Sequence, residues 1–147
     1  MLKESPQKDR ALGMLRAHHG SVTVSSLLGT AMASEVVALT REDGCVVCER
    51  LLVAAGPLQR MRGLLGRKEL PAGEGILLRP AGSIHMFFMR FAIDAIFLDD
   101  ELVVIDVVPD LRPWRTAGRS GAKAVVELAS GECVRRGVKP GDVLSLG

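Results

Sequence analysis

From Glu35 onward the apolar residues come in short runs, broken by Gly, Pro and Asp, and only one run shows helical spacing. The alternation predicts strands over 35–39 and 45–54, joined by the turn-like Arg41-Glu42-Asp43-Gly44. Pro57 suits a first helical position; Leu58, Met61, Leu64 and Leu65 follow at helical spacing, and Gly66 supplies the stop. Gly63 inside so short a helix costs about 1 kcal/mol against Ala, which suggests a close backbone contact there. A short strand is expected over 76–79, between the loops 71–75 and 80–82. The run 83–98 is too long for one ordinary strand, so a bend is placed at 90–92. Asp99-Asp100 has turn chemistry, and a β-branched strand over 102–108 should stop at Pro109. An exposed loop over 111–120 precedes a strand over 122–128. Ser130 is positioned to cap a single helical turn ending at Gly137, and a last strand covers 143–146.

Many short strands, one helix and no β-α rhythm predict a mainly β fold: a single antiparallel sandwich or barrel over 35–147 with one short α-helix. Residues 1–33 carry no sustained period and are expected to form a disordered or weakly helical extension. Lys3, Lys8, Arg10 and Arg16 lie ahead of the A-x-A-like Ala31-Met32-Ala33, but Ser and Thr dilute the would-be apolar segment between them. A cytoplasmic location is therefore expected, with export through a weak N-terminal signal as the alternative. No run reaches the roughly 20 apolar residues of a membrane span.

Composition narrows the chemistry. The chain has 147 residues, enough for one domain with a sizeable core. Its net charge is +2, and its 19 basic residues are scattered among acids, so nucleic acid is not the expected partner. Three cysteines, an odd number, argue against a disulfide scaffold. Cys45 and Cys48 read as C-x-x-C within a strand, where residues three apart face opposite ways; packing thiols are expected rather than a metal or redox pair.

The run 83–98 holds all four phenylalanines, two methionines and one carboxylate, Asp94. A charge among apolar residues needs a partner. Arg90, Arg60 and Arg62 are the cationic candidates; a structural acid holding a backbone N–H is the other reading. His85 is either a packed residue or, with Met86 and Met89, part of a soft-metal cluster. Strand alternation puts Met86 opposite His85 and Met89, so no metal and no cofactor are expected. Arg112-Pro113-Trp114-Arg115 is a second place for binding, because Trp and Arg dominate binding hot spots; the alternative is a Trp lid under an Arg. No nucleophile elbow, phosphate loop or dinucleotide fingerprint occurs.

Three segments carry a family resemblance: Arg60 to Arg67, Ser83 to Asp99, and Val126-Glu127-Leu128-Ala129-Ser130-Gly131 with Gly137-Val138-Lys139-Pro140-Gly141-Asp142. In this order and spacing they resemble the bacterial and archaeal domain-of-unknown-function family 192, from about Glu35 to the C-terminus. The resemblance implies a jelly-roll-like β-sandwich carrying a helix. It maps the family's recurrent positions to Arg60, Gly63, Met89, Asp94, Glu127, Gly131 and Gly141-Asp142. Met86 stands where Thr is usual and Ala92 where Pro is usual; the first change removes a hydroxyl beside His85. No activity comes with the family.

The reading that follows is a non-catalytic binding module for a small polar or anionic ligand or a peptide. Its candidate site comprises Arg60, Arg90, Asp94, Trp114, Glu127 and His85. An enzyme using Asp94 and Glu127 with an arginine clamp is one alternative, and an envelope or assembly-associated interaction protein is another.

Overall fold

The computed structural model describes residues 34–54 and 63–147. Nine strands and one short helix are named in chain order. They are β1 Glu35–Arg41, β2 Val46–Ala54, β3 Glu74–Leu78, β4 Ser83–His85 and β5 Ile93–Leu98. There follow β6 Val104–Leu111, β7 Thr116–Gly118, β8 Ala124–Ala129, α1 Glu132–Arg136 and β9 Leu144–Leu146. The mainly β expectation holds; residues 57–62 of the expected helix lie outside the described residues, and 63–66 form a turn.

Seven strands form one curled sheet in the order β6-β5-β8-β3-β2-β1-β9, and β4 pairs with β7 in a small second sheet. Every pairing is antiparallel except β2 with β3, which is parallel. That exception departs from the all-antiparallel expectation, and the chain between Ala54 and Glu74 is long enough for the crossover a parallel pair needs. The two ends of the large sheet approach each other. Val103 bridges Val143, the Val104 amide donates to the Asp142 carbonyl, and the Leu144 amide donates to the Leu102 carbonyl. The sheet thereby curls toward a barrel, its two end strands joined only near their first residues.

Each face of the sheet has its own core. Leu39, Leu51, Leu77, Ile96, Val126 and Leu128 pack on the inner face. Ile76, Leu78, Ile93, Phe97 and Val125 pack on the outer face, under Ile84, Met86 and Met89. Strand β5 is buried at all six positions because both faces are covered, which is why its sequence reads as a continuous apolar run. Strand β3 lies close to its neighbours: a Cβ at Gly75 would stand 2.6 Å from Leu128 Cδ2 and 2.8 Å from the Glu127 carbonyl oxygen. Only glycine fits there.

Three local expectations need correction. The sixth strand runs through Pro109 to Leu111 rather than stopping; it is an edge strand of the sheet order, where a missing N–H breaks no ladder. The exposed loop over 111–120 contains β7. Ser130 does not cap α1, since its hydroxyl donates to Asp110 Oδ1 at 2.9 Å. The helix is held instead by a residue from β5, described below.

Candidate functional site

Asp94 is fully buried, and its partners are backbone amides. Its Oδ1 accepts from the Asp110 N–H at 2.9 Å, and its Oδ2 accepts from Gly131 N–H at 3.1 Å and Cys133 N–H at 2.9 Å. One carboxylate thus fastens β5 to the end of β6 and to the first turn of α1. Gly131 takes the left-handed φ of 93° that lets its amide face the carboxylate. Of the anticipated arginine partners, Arg90 is exposed and makes no hydrogen bond to Asp94, and Arg60 and Arg62 lie outside the described residues. Three backbone N–H donors satisfy the buried carboxyl, and no cationic side chain among the described residues bonds to it. Of the two readings open for Asp94, this is the structural one.

Glu127 stands in β8 directly opposite Ala95, and that register turns its side chain to the outer face. Asp94, paired with Leu128, faces the inner core. A one-residue offset in a strand reverses the face, so the two carboxylates are not brought together.

A cavity of about 100 Å3 opens on the outer face. Its polar lining is Ser83, His85 and Glu127; Met86 and Met89 add two thioether residues, and Gly63, Leu64, Leu65, Leu78 and Ile84 complete the wall. Glu127 is only 6% exposed. Among the described residues nothing donates a hydrogen bond to its carboxyl, and burial pushes its pKa up from 4.5 to about 7. Taking an ionised carboxylate from water into an apolar wall is unfavourable, so the proton is held more tightly. No lysine or arginine is found among the described lining residues. Cationic and hydrogen-bond-donating groups therefore match this cavity better than anions do.

Strand β4 ends at His85, and residues 86–92 turn before β5 begins. The bend is therefore longer and earlier than 90–92. This has a consequence for Met86: strand alternation no longer applies to it, and it lines the same cavity as His85 and Met89. The Met86 backbone is pinned from two sides. Its N–H donates to the Arg115 carbonyl at 2.7 Å, while its carbonyl accepts from Trp114 N–H at 2.8 Å and Met89 N–H at 3.3 Å.

Aromatic side chains cluster beside His85, a lining residue of the cavity. The His85 imidazole stacks on Phe87 at 5.0 Å; Trp114 meets Phe88 edge-on at 5.0 Å and Phe87 at 6.0 Å. Trp114 thus contacts phenylalanines, and no arginine among the described residues stacks on its ring. Phe88 and Trp114 are 73% and 60% exposed, yet both hold left-handed backbone, with φ of 65° and 68°. Bulky residues in that region cost about 1–2 kcal/mol each. Leu102 and Asp110 also have positive φ, so such backbone is not confined to this cluster.

Of the six residues singled out from the sequence, His85 and Glu127 share the cavity, and Trp114 is linked to His85 through Phe87. Asp94 and Arg90 lie elsewhere, and Arg60 is outside the described residues. Met86 and Met89 line the same cavity, with Phe87 and Phe88 in the adjoining aromatic cluster. Their signal was the unusual density of Met and Phe after His85, which alternation wrongly spread over two faces. The cysteines behave as packing thiols: Cys48 and Cys133 are buried in the inner core, and burial raises both thiol pKa values, Cys48 to about 11.

Comparison with known proteins places this geometry in a family. The family model DUF192, described as "Uncharacterized ACR", matches residues 38–146. A UPF0127 protein of Thermococcus sibiricus is 35% identical over 98 residues, 63% of each chain. The chain therefore spans a little under two thirds of that relative's length. A UPF0127 protein of Pyrococcus horikoshii is 36% identical over 92 residues, covering 60% of this chain and 77% of the relative. Among solved structures, a protein of unknown function from Novosphingobium aromaticivorans superposes with a TM-score of 0.66 at 25% identity, covering 79% of this chain and 87% of the other. A second, from Sinorhizobium meliloti and described as a "putative transcription regulator", reaches 0.69 at 23% identity over 81% and 98%. The likeness to that second structure is one of fold alone.

Proposed function

Given that this chain belongs to the DUF192 family, an uncharacterised family, we propose that it is a non-catalytic binding module whose site is the outer-face cavity over Glu127. The ligand is a small molecule, or a side chain of a peptide, that presents a cationic or hydrogen-bond-donating group. One observation carries the reading: a carboxyl buried at the wall of a cavity with no partner among the described residues. A cation entering beside it restores the ionised form and gains a Coulomb attraction that water no longer screens. The aromatic cluster of Phe87, Phe88 and Trp114, joined to the lining residue His85 through Phe87, supplies exposed apolar area and ring faces that attract cations. An anionic ligand finds no support from the described lining.

An enzymatic reading would have to run on Glu127 with His85, because Asp94 faces the other core and is held by three amides. The test is a thermal-shift panel of primary amines, guanidinium and quaternary ammonium compounds, basic peptides, and anions as controls. Cationic members should raise the melting temperature of the native protein, and Glu127→Gln should abolish that rise. A silent panel, a response to anions alone, or equal shifts in both proteins would overturn the proposal.

A further inference from the structure

The cavity contains more donor chemistry than a site for an organic cation requires. His85, Met86 and Met89 line it together, and Glu127 lies in the same wall. An imidazole and two thioethers form a soft to borderline set that selects copper(I) over hard cations. Hard or borderline divalent ions would need more oxygen and nitrogen ligands, and no group of three His, Cys, Asp or Glu residues suited to a metal occurs among the described residues. We propose that this cavity binds a soft monovalent cation of the copper(I) type, held by His85 and the thioethers of Met86 and Met89, with the Glu127 carboxylate balancing its charge. The proposal deepens the cation-binding reading above and depends on it only for the location of the site.

Three features bear on how these donor residues are held, although His85 itself is exposed. The turn joining the two methionines is closed by the Met89 N–H donating to the Met86 carbonyl, and the Met86 backbone also bonds to the Trp114 N–H and the Arg115 carbonyl. Stacking on Phe87 restrains the imidazole plane of His85. The surrounding wall is apolar: Met86 and Met89 are 1% and 9% exposed, Ile84 is 7% exposed, and all three belong to the outer core. A cation of single charge beside one carboxylate leaves such a wall electrically neutral, whereas a divalent ion would leave a net charge buried.

The test uses the full purified chain under anaerobic, reducing conditions, with copper(I) in competition against a chromogenic copper(I) chelator. One equivalent per chain should be retained, with silver(I) competing for it and zinc(II) not. Met86→Leu and Met89→Leu preserve volume in the core, so both variants should melt like the native protein. Each should weaken copper(I) at least about tenfold, and His85→Gln should do likewise. X-ray absorption should show a mixed sulfur and nitrogen shell that loses sulfur in the methionine variants. Cys45→Ser should bind as the native protein does. Native-like affinity in the methionine double variant, or loss of copper in Cys45→Ser, would overturn the assignment.

The two proposals fail separately. If the methionine double variant binds copper(I) normally while amines still shift the melting temperature through Glu127, the soft-metal site falls and the cation site stands. If amines are silent but copper(I) retention needs the methionines, the metal site stands and the organic ligand falls. No retention and no shift removes both.

Discussion

Replacing Glu127 by Gln isolates the energetic consequence of burying a carboxyl without a partner. The side chain is 6% exposed, and its pKa rises from 4.5 to about 7 through burial. The folded value exceeds the unfolded one, so the folded chain holds the proton more tightly. The resulting stability is complete below pH 4.5 and is lost as pH rises through 7. At about 1.36 kcal/mol per pKa unit, a difference of 2.5 (7 minus 4.5) amounts to about 3 kcal/mol. Gln keeps the shape and cannot ionise, so the stability of Glu127→Gln relative to the native protein should climb by about 3 kcal/mol between pH 4.5 and 8. Urea unfolding at a series of pH values measures it directly; with m of roughly 1–3 kcal/mol/M, the midpoints should separate by roughly 1–3 M across that range. Asp43, Glu49, Asp106 and Glu132 have lowered pKa values from their arginine partners or nearby amides and act in the opposite sense at acid pH, but they are common to both proteins and cancel in the difference. Repeating the series in a His85→Gln background separates the other titratable residue of the lining. Parallel stability curves for the two proteins would refute the claim that Glu127 is buried unpaired.

Other perturbations test the architecture. Asp94→Ala leaves three amides without their acceptor and should destabilise by roughly 3–5 kcal/mol in chemical unfolding, with α1 amides losing hydrogen-exchange protection first. Gly75→Ala drives a methyl into the Glu127 carbonyl and Leu128, for a loss of about 1–3 kcal/mol by the same measurement. Phe88→Gly exchanges an edge-on ring contact for relief of left-handed strain, so stability should stay within about 0.5 kcal/mol, whereas Phe97→Ala in the core should cost about 3–5 kcal/mol. A thiol reagent at pH 8 should find Cys48 and Cys133 unreactive in the native protein and all three cysteines after unfolding.

The strands were legible because their alternation and turn residues are local. Asp99 illustrates this: its Oδ1 accepts from the Glu101 and Val103 amides, so the turn is closed by a residue two and four positions away. The cap of α1 was not legible. Its nearest candidate was Ser130, but the acceptor that reaches the helix is Asp94, 39 positions before Cys133. Local pattern has no access to a partner supplied across two strands.

The amino-acid order by itself determined the mainly β class, the family resemblance and the weight placed on the segment after Ser83, since periodicity and turn chemistry act over a few neighbouring residues. Folding decided which face each acid serves. The pairing of β5 with β8 puts Asp94 in one core and Glu127 in the other, and the end of β4 at His85 lets Met86 join the cavity. Register and strand ends are set by packing among distant segments, and a single residue of register exchanges the two sides of a sheet.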